Sequence, residues 1–187
     1  MRKGFLVPLA LGVLLASAAC ARGAPANGAD AAVVEECANP ELPPEILDGP
    51  IRASAAPLRV VTASTAAVKL RLAVAADGPN QELGLMCVLK LRPRHGMIFV
   101  FDANAGHEFW MKNTLVPLDM LWAGDDGTIT TIAASVPAST RATADSAVAR
   151  RFGRGRFVIE LRAGEAAADK LAVGQRLILP PLSADSP

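Results

Sequence analysis

The stretch that decides the fold reads LDMLWAGDDGTITTIAASV and covers residues 118–136. Its centre is Asp125-Asp126-Gly127, and an Asp-Gly pair between two apolar runs is among the strongest short signals for a β-hairpin. A two-residue turn at the Asp-Gly pair would fix the register of the two strands. That register pairs Trp122 with Thr131 and Met120 with Ala133. We therefore expect an antiparallel hairpin with strands at 118–122 and 128–136.

Apolar runs on both sides of this hairpin predict further short strands. The run Met97-Ile98-Phe99-Val100-Phe101 is almost continuously apolar, which is typical of a strand buried on both faces. The other expected elements are strands at 68–74, 108–114, 156–161 and 175–179, helices at 79–86 and 164–171, a turn at 102–106 and an irregular stretch at 137–155. Because hairpins dominate and no strand–long helix–strand repeat occurs, the sequence predicts an α+β domain over residues 68–181. We expect it to be compact, antiparallel, β-rich and barrel-like, with two short helices.

Residues 1–20 have the pattern of an export signal. Met1-Arg2-Lys3 gives a short positive start, and the apolar run that follows ends in small residues before Cys20. This arrangement is typical of a secretory signal peptide, and the small residues resemble a lipobox, which would place lipid on Cys20. Cleavage after Ala18 or Ala21 is the alternative. We expect an exported, periplasmic lipoprotein that is tethered to the membrane through acyl chains on Cys20.

The residues between the signal and the domain have the composition of a linker. Residues 21–67 are rich in Ala, Pro, Gly and Asn, which predicts a largely disordered segment, and residues 182–187 are expected to form a tail. Cysteines tend to pair in an oxidising compartment. If Cys20 carries lipid, Cys37 and Cys87 remain as an even pair and predict a disulfide between the linker and the domain. The alternative is two unrelated cysteines, with Cys87 as a small core residue.

The charge balance and the composition exclude several classes of function. The chain has 19 basic and 18 acidic residues, a net charge of +1, so it lacks the bulk charge that drives nucleic-acid binding. Two histidines and three cysteines leave little material for a zinc site with several ligands. No C-x-x-C, H-E-x-x-H, G-x-S-x-G, G-x-G-x-x-G or P-loop sequence occurs. We expect no nucleic-acid partner, no cofactor and no resident metal.

The residues that carry most of the chemistry lie at 107–120, in the sequence HEFWMKNTLVPLDM. On a strand, Trp110 and Lys112 share one face, which gives that face an aromatic plane and a cation. If the chain then reverses, Asp119 lies opposite Lys112, and polar side chains inside an apolar hairpin cost desolvation unless something uses them. The sequence therefore predicts a ligand site in which Trp110 stacks, Lys112 pairs with an anionic or hydroxyl group, and Asn113 and Asp119 orient the ligand. The alternative is a core tryptophan beside a surface Lys–Asp pair.

Four motifs together resemble those of a known family. They are Gly84-Leu85-Met86, Gly96 to Phe101, Phe109 to Leu115, and Pro117-Leu118-Asp119-Met120. In this order and spacing they resemble the DUF192 family, also called UPF0127, and the resemblance covers about residues 68–181. It implies a compact β-rich fold with small helices. It supplies no activity.

Two further groups of residues could bind ligands. The first group is rich in arginine and would bind an anionic polymer, or else form a solvated loop; it consists of Arg150, Arg151, Arg154 and Arg156. The second group offers soft ligands that suit copper, and it consists of Met86, Met97, Met111, Met120, His95, His107 and Cys87. The second group lacks the spacing of a copper site, and methionines in apolar strands more often fill gaps in the core.

These observations favour a non-catalytic binding module over an enzyme. No set of nucleophile, base and acid can be identified, so catalytic residues stay unassigned. We expect a small polar or carbohydrate-like ligand at the cell envelope, with any protein partner unspecified. The first alternative is a small glycan hydrolase or lyase that uses Asp119 or Glu108 as its acid–base group. The second alternative is a soft-metal protein.

Overall fold

The computed structural model describes residues 58–182, which form one six-stranded sheet and two short helices. The strands are β1 Val60–Ser64, β2 Lys69–Ala75, β3 His95–Trp110, β4 Leu118–Ala123, β5 Ile129–Val136 and β6 Arg150–Arg162. The helices are α1 Gly78–Leu83 and α2 Glu165–Ala168, and a 3₁₀ turn covers Asp145–Ala147. The predicted signal peptide, Cys20, Cys37, the linker up to residue 57 and the tail after residue 182 lie outside the described residues. Within 58–182, no helix has the length and apolar character needed to cross a membrane.

The sheet is mixed and open. Its strand order is β1-β2-β3-β6-β4-β5, in which β2 and β3 run parallel and all other neighbours run antiparallel. The α+β class with two short helices is confirmed. Because β1 and β5 remain as edges, the sheet does not close, and the expected barrel-like form holds only loosely. The segment predicted as a last strand at 175–179 forms only isolated bridges, which join Ser64 to Ile178 and Thr128 to Arg176.

The hairpin of β4 and β5 has the predicted register. Trp122 pairs with Thr131 and Met120 pairs with Ala133. The turn itself differs from the prediction, because the Gly127 amide donates to the Gly124 carbonyl at 2.9 Å and makes Asp125 and Asp126 the central residues. Gly127 follows these two residues, and its φ of 81° lies in the left-handed region. A register shift between Trp122 and Ala123 then gives the predicted pairing from Trp122 onward.

β3 and β6 are both longer than the sequence predicted. β3 is a single strand of 16 residues that runs through the expected turn at 102–106 with only a register shift. β6 begins at Arg150, inside the stretch that was expected to be irregular. Gly153 explains part of the difference, because a Cβ atom there would lie 2.3 Å from the ring of Trp122. Glycine in this stretch allows a strand to pass closely over an aromatic ring.

The ordered domain begins earlier than expected. β1 occupies residues 60–64, inside the predicted linker of 21–67, and pairs antiparallel with β2. Its sequence, VVTAS, starts with three β-branched residues that suit a strand, whereas the prolines that argued against regular structure all precede it. Both helices are present but shorter than predicted.

The sheet carries a hydrophobic core on each face. Met97 and Phe99 pack into one core with Trp122, whereas Ile98 packs into the other with Leu121. All five side chains are at most 1% exposed. The predicted burial of this part of β3 on both faces is therefore confirmed. The candidate site lies at the rim of the first core, where α1 passes over β3.

Candidate functional site

A pocket of about 440 Å³ lies between α1, the turn that follows it, and β3. This volume is in the range that proteins use to bind small molecules. Its lining includes Glu82 and residues 83–86 from α1 and its turn, Phe99, Phe101 and residues 106–110 from β3, then Lys112 and Thr114, and finally Glu160 from β6. The pocket therefore joins the motifs that predicted the site to a residue from a distant strand.

α1 is held in place by its cap, its end and a bond to β3. Asp77 caps the first turn, and hydrogen bonds from the side chain and backbone of Asn80 lower the pKa of the Asp77 carboxyl. Gly84 ends the helix with a φ of 49°, which turns the chain back toward the sheet. Gln81 Nε2 donates to the carbonyl of Val100 at 2.8 Å. One wall of the pocket is thus fixed against β3.

Three phenylalanines form an aromatic wall, which we define as Phe99, Phe101 and Phe109. The ring of Phe109 stands edge-to-face with Phe99 at 4.8 Å and with Phe101 at 6.2 Å between centroids. The His107 ring stacks on Phe101 at 3.8 Å. Trp122 Nε1 donates to the His107 carbonyl at 3.2 Å, and this bond ties the strand that carries the wall to a buried ring of the first core. The three side chains form the aromatic part of the pocket lining.

Glu160 is the buried acid of the pocket, and sequence reasoning missed it. It lies on β6 opposite Met97 and Met120, and it is 5% exposed. Within residues 58–182, its carboxyl has no hydrogen-bond or ion-pair partner, and burial alone raises its pKa from 4.5 to about 8. The carboxyl is therefore mostly protonated at pH 7. Its sequence signal is a lone acid inside the apolar run FVIEL at 157–161.

His107 brings a second polar atom without a partner to the same pocket. Its Nε2 atom is buried and makes no hydrogen bond in the described part of the chain. Buried polar atoms in proteins are almost always paired, and each exception needs an explanation. Two such groups, Glu160 and His107, line one cavity. A bound ligand that pairs with the Glu160 carboxyl would explain the first of them.

Trp110 and Lys112, two of the four predicted ligand residues, do line the pocket. Trp110 is 39% exposed, and the Arg150 guanidinium lies 4.9 Å from its ring centre. Arg150 Nη1 also pairs with Glu108 Oε1 at 2.9 Å. Lys112 Nζ pairs with the Asp145 carboxylate, and this hydrogen bond and charge hold the pKa of Asp145 below its usual range. The lysine and the arginine at the pocket thus already have acidic partners.

Asp119 is not at the pocket, and the predicted Lys112–Asp119 pair is wrong. Asp119 is fully buried and faces the other way, toward α2. Its Oδ1 accepts from the Ser135 amide and its Oδ2 accepts from the Ala166 amide, both at 2.8 Å. With both oxygens occupied by backbone donors, Asp119 ties β4 to β5 and α2. It is a structural residue and cannot supply acid–base chemistry to a ligand in this pocket.

Asn113 lies in the turn beside the pocket rather than in its lining. Its φ of 51° is in the left-handed region, which asparagine tolerates better than most residues. Its carbonyl accepts from the Cys87 amide at 2.9 Å, and its side-chain Oδ1 is buried without a partner among the described residues. Asn113 therefore shapes the turn that presents Lys112.

The predicted anion-binding arginines belong to a strand, not to a loop. Arg150 pairs with Glu108, and Arg151 donates to the Arg150 carbonyl. Arg154 donates to the Asn104 carbonyl and Arg156 donates to the Phe101 carbonyl. Each of the four guanidinium groups thus has a partner within the fold, which weakens their interpretation as a cluster for an anionic polymer.

The residues suggested for a soft metal are mostly core residues. Met97, Met111 and Met120 are fully buried in the first core. In residues 58–182, no group of three or more His, Cys, Asp or Glu side chains is arranged to hold a metal ion. Cys87 takes part in a disulfide, and its other half lies outside the described residues. The Cys37–Cys87 pairing therefore stays a prediction.

Comparison with known proteins identifies relatives of the whole described domain. The family model DUF192, described as "Uncharacterized ACR", matches residues 59–179. A solved structure of a candidate transcription regulator from Sinorhizobium meliloti 1021 is 33% identical, with a TM-score of 0.54, and the match covers 63% of this chain and 90% of that chain. A protein of unknown function from Novosphingobium aromaticivorans DSM 12444 has the same fold, at 24% identity and a TM-score of 0.56, over 73% of this chain and 97% of that one. No curated protein matches the chain.

Proposed function

The chain belongs to the DUF192 family, and we propose that it is a non-catalytic binding module of the cell envelope whose pocket holds a small polar or carbohydrate-like ligand. The observation that carries this proposal is the buried carboxyl of Glu160, which faces the pocket without a partner. An unpaired buried polar group costs about 1–3 kcal/mol. A ligand that pairs with Glu160 would remove that cost, and this gain would favour ligand binding in the pocket.

The other lining groups suit a small polar molecule. Trp110 exposes part of its indole for stacking against a sugar-like ring. The Lys112 ammonium has N–H donors beyond the one that pairs with Asp145, and the aromatic wall covers the apolar side of a ligand. The lining thus combines polar groups, which can orient a ligand, with apolar side chains that cover it.

The proposed location rests on residues 1–20. Their positive start, apolar run and small residues before Cys20 support export and lipid attachment. A lipid anchor would hold the domain at a membrane surface, where envelope sugars and other small polar molecules are available. The Sinorhizobium meliloti protein is described as a transcription regulator, but the near-neutral charge of this chain does not favour a nucleic-acid partner.

The test of binding is a thermal-melting screen of the purified protein with neutral, acidic and basic sugars. A ligand at one hundred times its dissociation constant stabilises the folded state by about 2.7 kcal/mol, which shifts Tm by several degrees for a domain of this size. Trp110→Ala should remove most of the shift. Phe152→Ala is the matched control, because Phe152 is another exposed aromatic of the β3–β6 pair but does not line the pocket. Equal effects of the two variants would contradict a site at Trp110.

A glycan hydrolase or lyase is the second candidate, and Glu160 is the observation that favours it. A carboxyl that is still protonated at neutral pH can act as a general acid, and Glu108 places a second carboxyl in the same lining. Hydrolysis of glycan oligomers that is lost in Glu160→Gln and kept in Phe152→Ala would replace the binding module with this enzyme.

A further inference from the structure

The charges of the pocket limit the chemical class of its ligand. Its lining has three carboxyl groups, from Glu82, Glu108 and Glu160, against one lysine, Lys112. Arg150 neutralises Glu108, and Asp145 neutralises Lys112. What remains is a negative balance from Glu82 at the rim and the titratable Glu160 inside. An anionic ligand would enter without a lysine or arginine of the lining left to pair with it.

The aromatic wall points in the same direction. Phe99, Phe101 and Phe109 meet edge-to-face, and their rings line the pocket that Glu160 faces. The face of an aromatic ring carries partial negative charge and attracts cations, more strongly where water is excluded. A buried acid beside aromatic rings is the combination that recognises an organic ammonium group.

We propose that the ligand carries a protonated amine, and that Glu160, seated beside the aromatic wall, becomes its carboxylate counter-ion. This inference rests on the proposed binding function and names its ligand class. On binding, the Glu160 carboxyl gives up its proton to solvent and the resulting carboxylate pairs with the ammonium, so one proton leaves the complex for each ligand bound. The His107 ring lines the same space, stacked on Phe101 of the aromatic wall.

Few other charged groups lie around Glu160 to produce the same pH dependence. Met97 of β3 and Met120 of β4 are its neighbours across the sheet. The charged or titratable groups of the lining are Glu82 from α1, His107 and Glu108 from β3, and Lys112 from the turn after it. On β6 itself, Arg162 follows two residues later and is paired with Glu165.

The experiment is calorimetric titration with matched pairs of probes. Cyclohexylamine is compared with cyclohexanol, and glucosamine with glucose, so that each pair differs in one ammonium or hydroxyl group; glucuronate serves as the anion. The amines should bind at least tenfold more tightly than their hydroxyl partners. Titration of cyclohexylamine in buffers of different ionisation enthalpy should show close to one proton released per ligand at pH 7. Its affinity should rise about tenfold from pH 6 to pH 7 and level off above pH 8, because an alkylammonium keeps its charge in this range.

Two variants distinguish specific pairing of the ligand with Glu160 from a general effect of acidic groups at the pocket. Glu160→Gln should weaken cyclohexylamine binding by at least about thirtyfold and abolish proton release. Glu82→Gln removes one acid from the exposed rim and should change affinity by less than about fivefold. The proton-release measurement on the unaltered protein tests the same point even if Glu160→Gln fails to fold.

The possible failures are distinguishable. If glucose or glucuronate binds as tightly as the amines, or if no proton is released, the ammonium inference is wrong and the proposed binding function stands. If no probe of any class binds, the proposed function fails and the inference fails with it.

Discussion

At the residue scale, the site depends on which polar side chains already have partners. Lys112 and Asp119 looked equivalent in the sequence, as two polar residues of one hairpin. In the structure their roles differ. Lys112 lines the pocket, whereas both carboxylate oxygens of Asp119 accept hydrogen bonds from backbone amides. Glu160 was not predicted, since a single acid in an apolar strand gives no sign of whether it is paired.

The different roles of Asp119 and Lys112 give a stability prediction. Asp119→Asn places an NH₂ group against a backbone donor, and should lower the free energy of unfolding by about 2–4 kcal/mol. Lys112→Met removes a pair whose acidic partner is exposed, and should leave the free energy of unfolding nearly unchanged. Denaturant unfolding of both variants at pH 7 measures this. Similar losses in the two variants would contradict the assignment of Asp119 as structural.

At the element scale, the sequence predicted strands well where the pattern was local. The Asp-Gly signal located the β4–β5 hairpin and its register, and the continuous apolar run located the buried half of β3. The sequence pattern did not predict strands whose bounds depend on pairing between distant parts of the chain. β3 continues past residue 101 and β6 begins at Arg150 because the two strands support each other, and residues 102–106 and 150–155 carry no local strand pattern.

Gly153 and Gly106 give a matched test of this strand pair. Gly153→Ala would place a Cβ atom 2.3 Å from the buried Trp122 ring, and should cost about 1–3 kcal/mol of stability. Gly106→Ala would place its Cβ atom 2.5 Å from the ring of Phe152. That ring is 67% exposed and can swing into solvent, so we expect a change within about 0.5 kcal/mol. Thermal melting compares the two, and equal losses of Tm would argue against the packing of β6 over Trp122.

At the scale of the whole molecule, a sheet with a core on each face leaves a pocket where α1 covers β3. The sequence predicted the α+β class and the two short helices, and two of the four predicted ligand residues, Trp110 and Lys112, line the pocket. It could not predict that the sheet stays open, that β2 and β3 run parallel, or that a residue of β6 completes the pocket. These features depend on strand order, which hydrophobic patterns do not encode. The central claim that follows is that Glu160 lies buried, uncharged and unpaired in this pocket.

The measurement that tests this claim most directly is the stability of the protein and of Glu160→Gln between pH 5 and pH 9, with Glu82→Gln as the control. A carboxyl whose pKa rises from 4.5 unfolded to about 8 folded holds an extra proton in the folded state between these values. Its contribution to stability therefore falls as pH rises, by up to about 1.4 kcal/mol per pH unit, and levels off above pH 8.

Glutamine resembles the uncharged acid and does not titrate, so Glu160→Gln should match the unaltered protein near pH 5. It should then become more stable than the unaltered protein by a few kcal/mol at pH 9. Glu82→Gln should show no such pH-dependent difference. A constant difference between the unaltered protein and Glu160→Gln across this range would mean that Glu160 is already charged in the folded state, and would contradict the account.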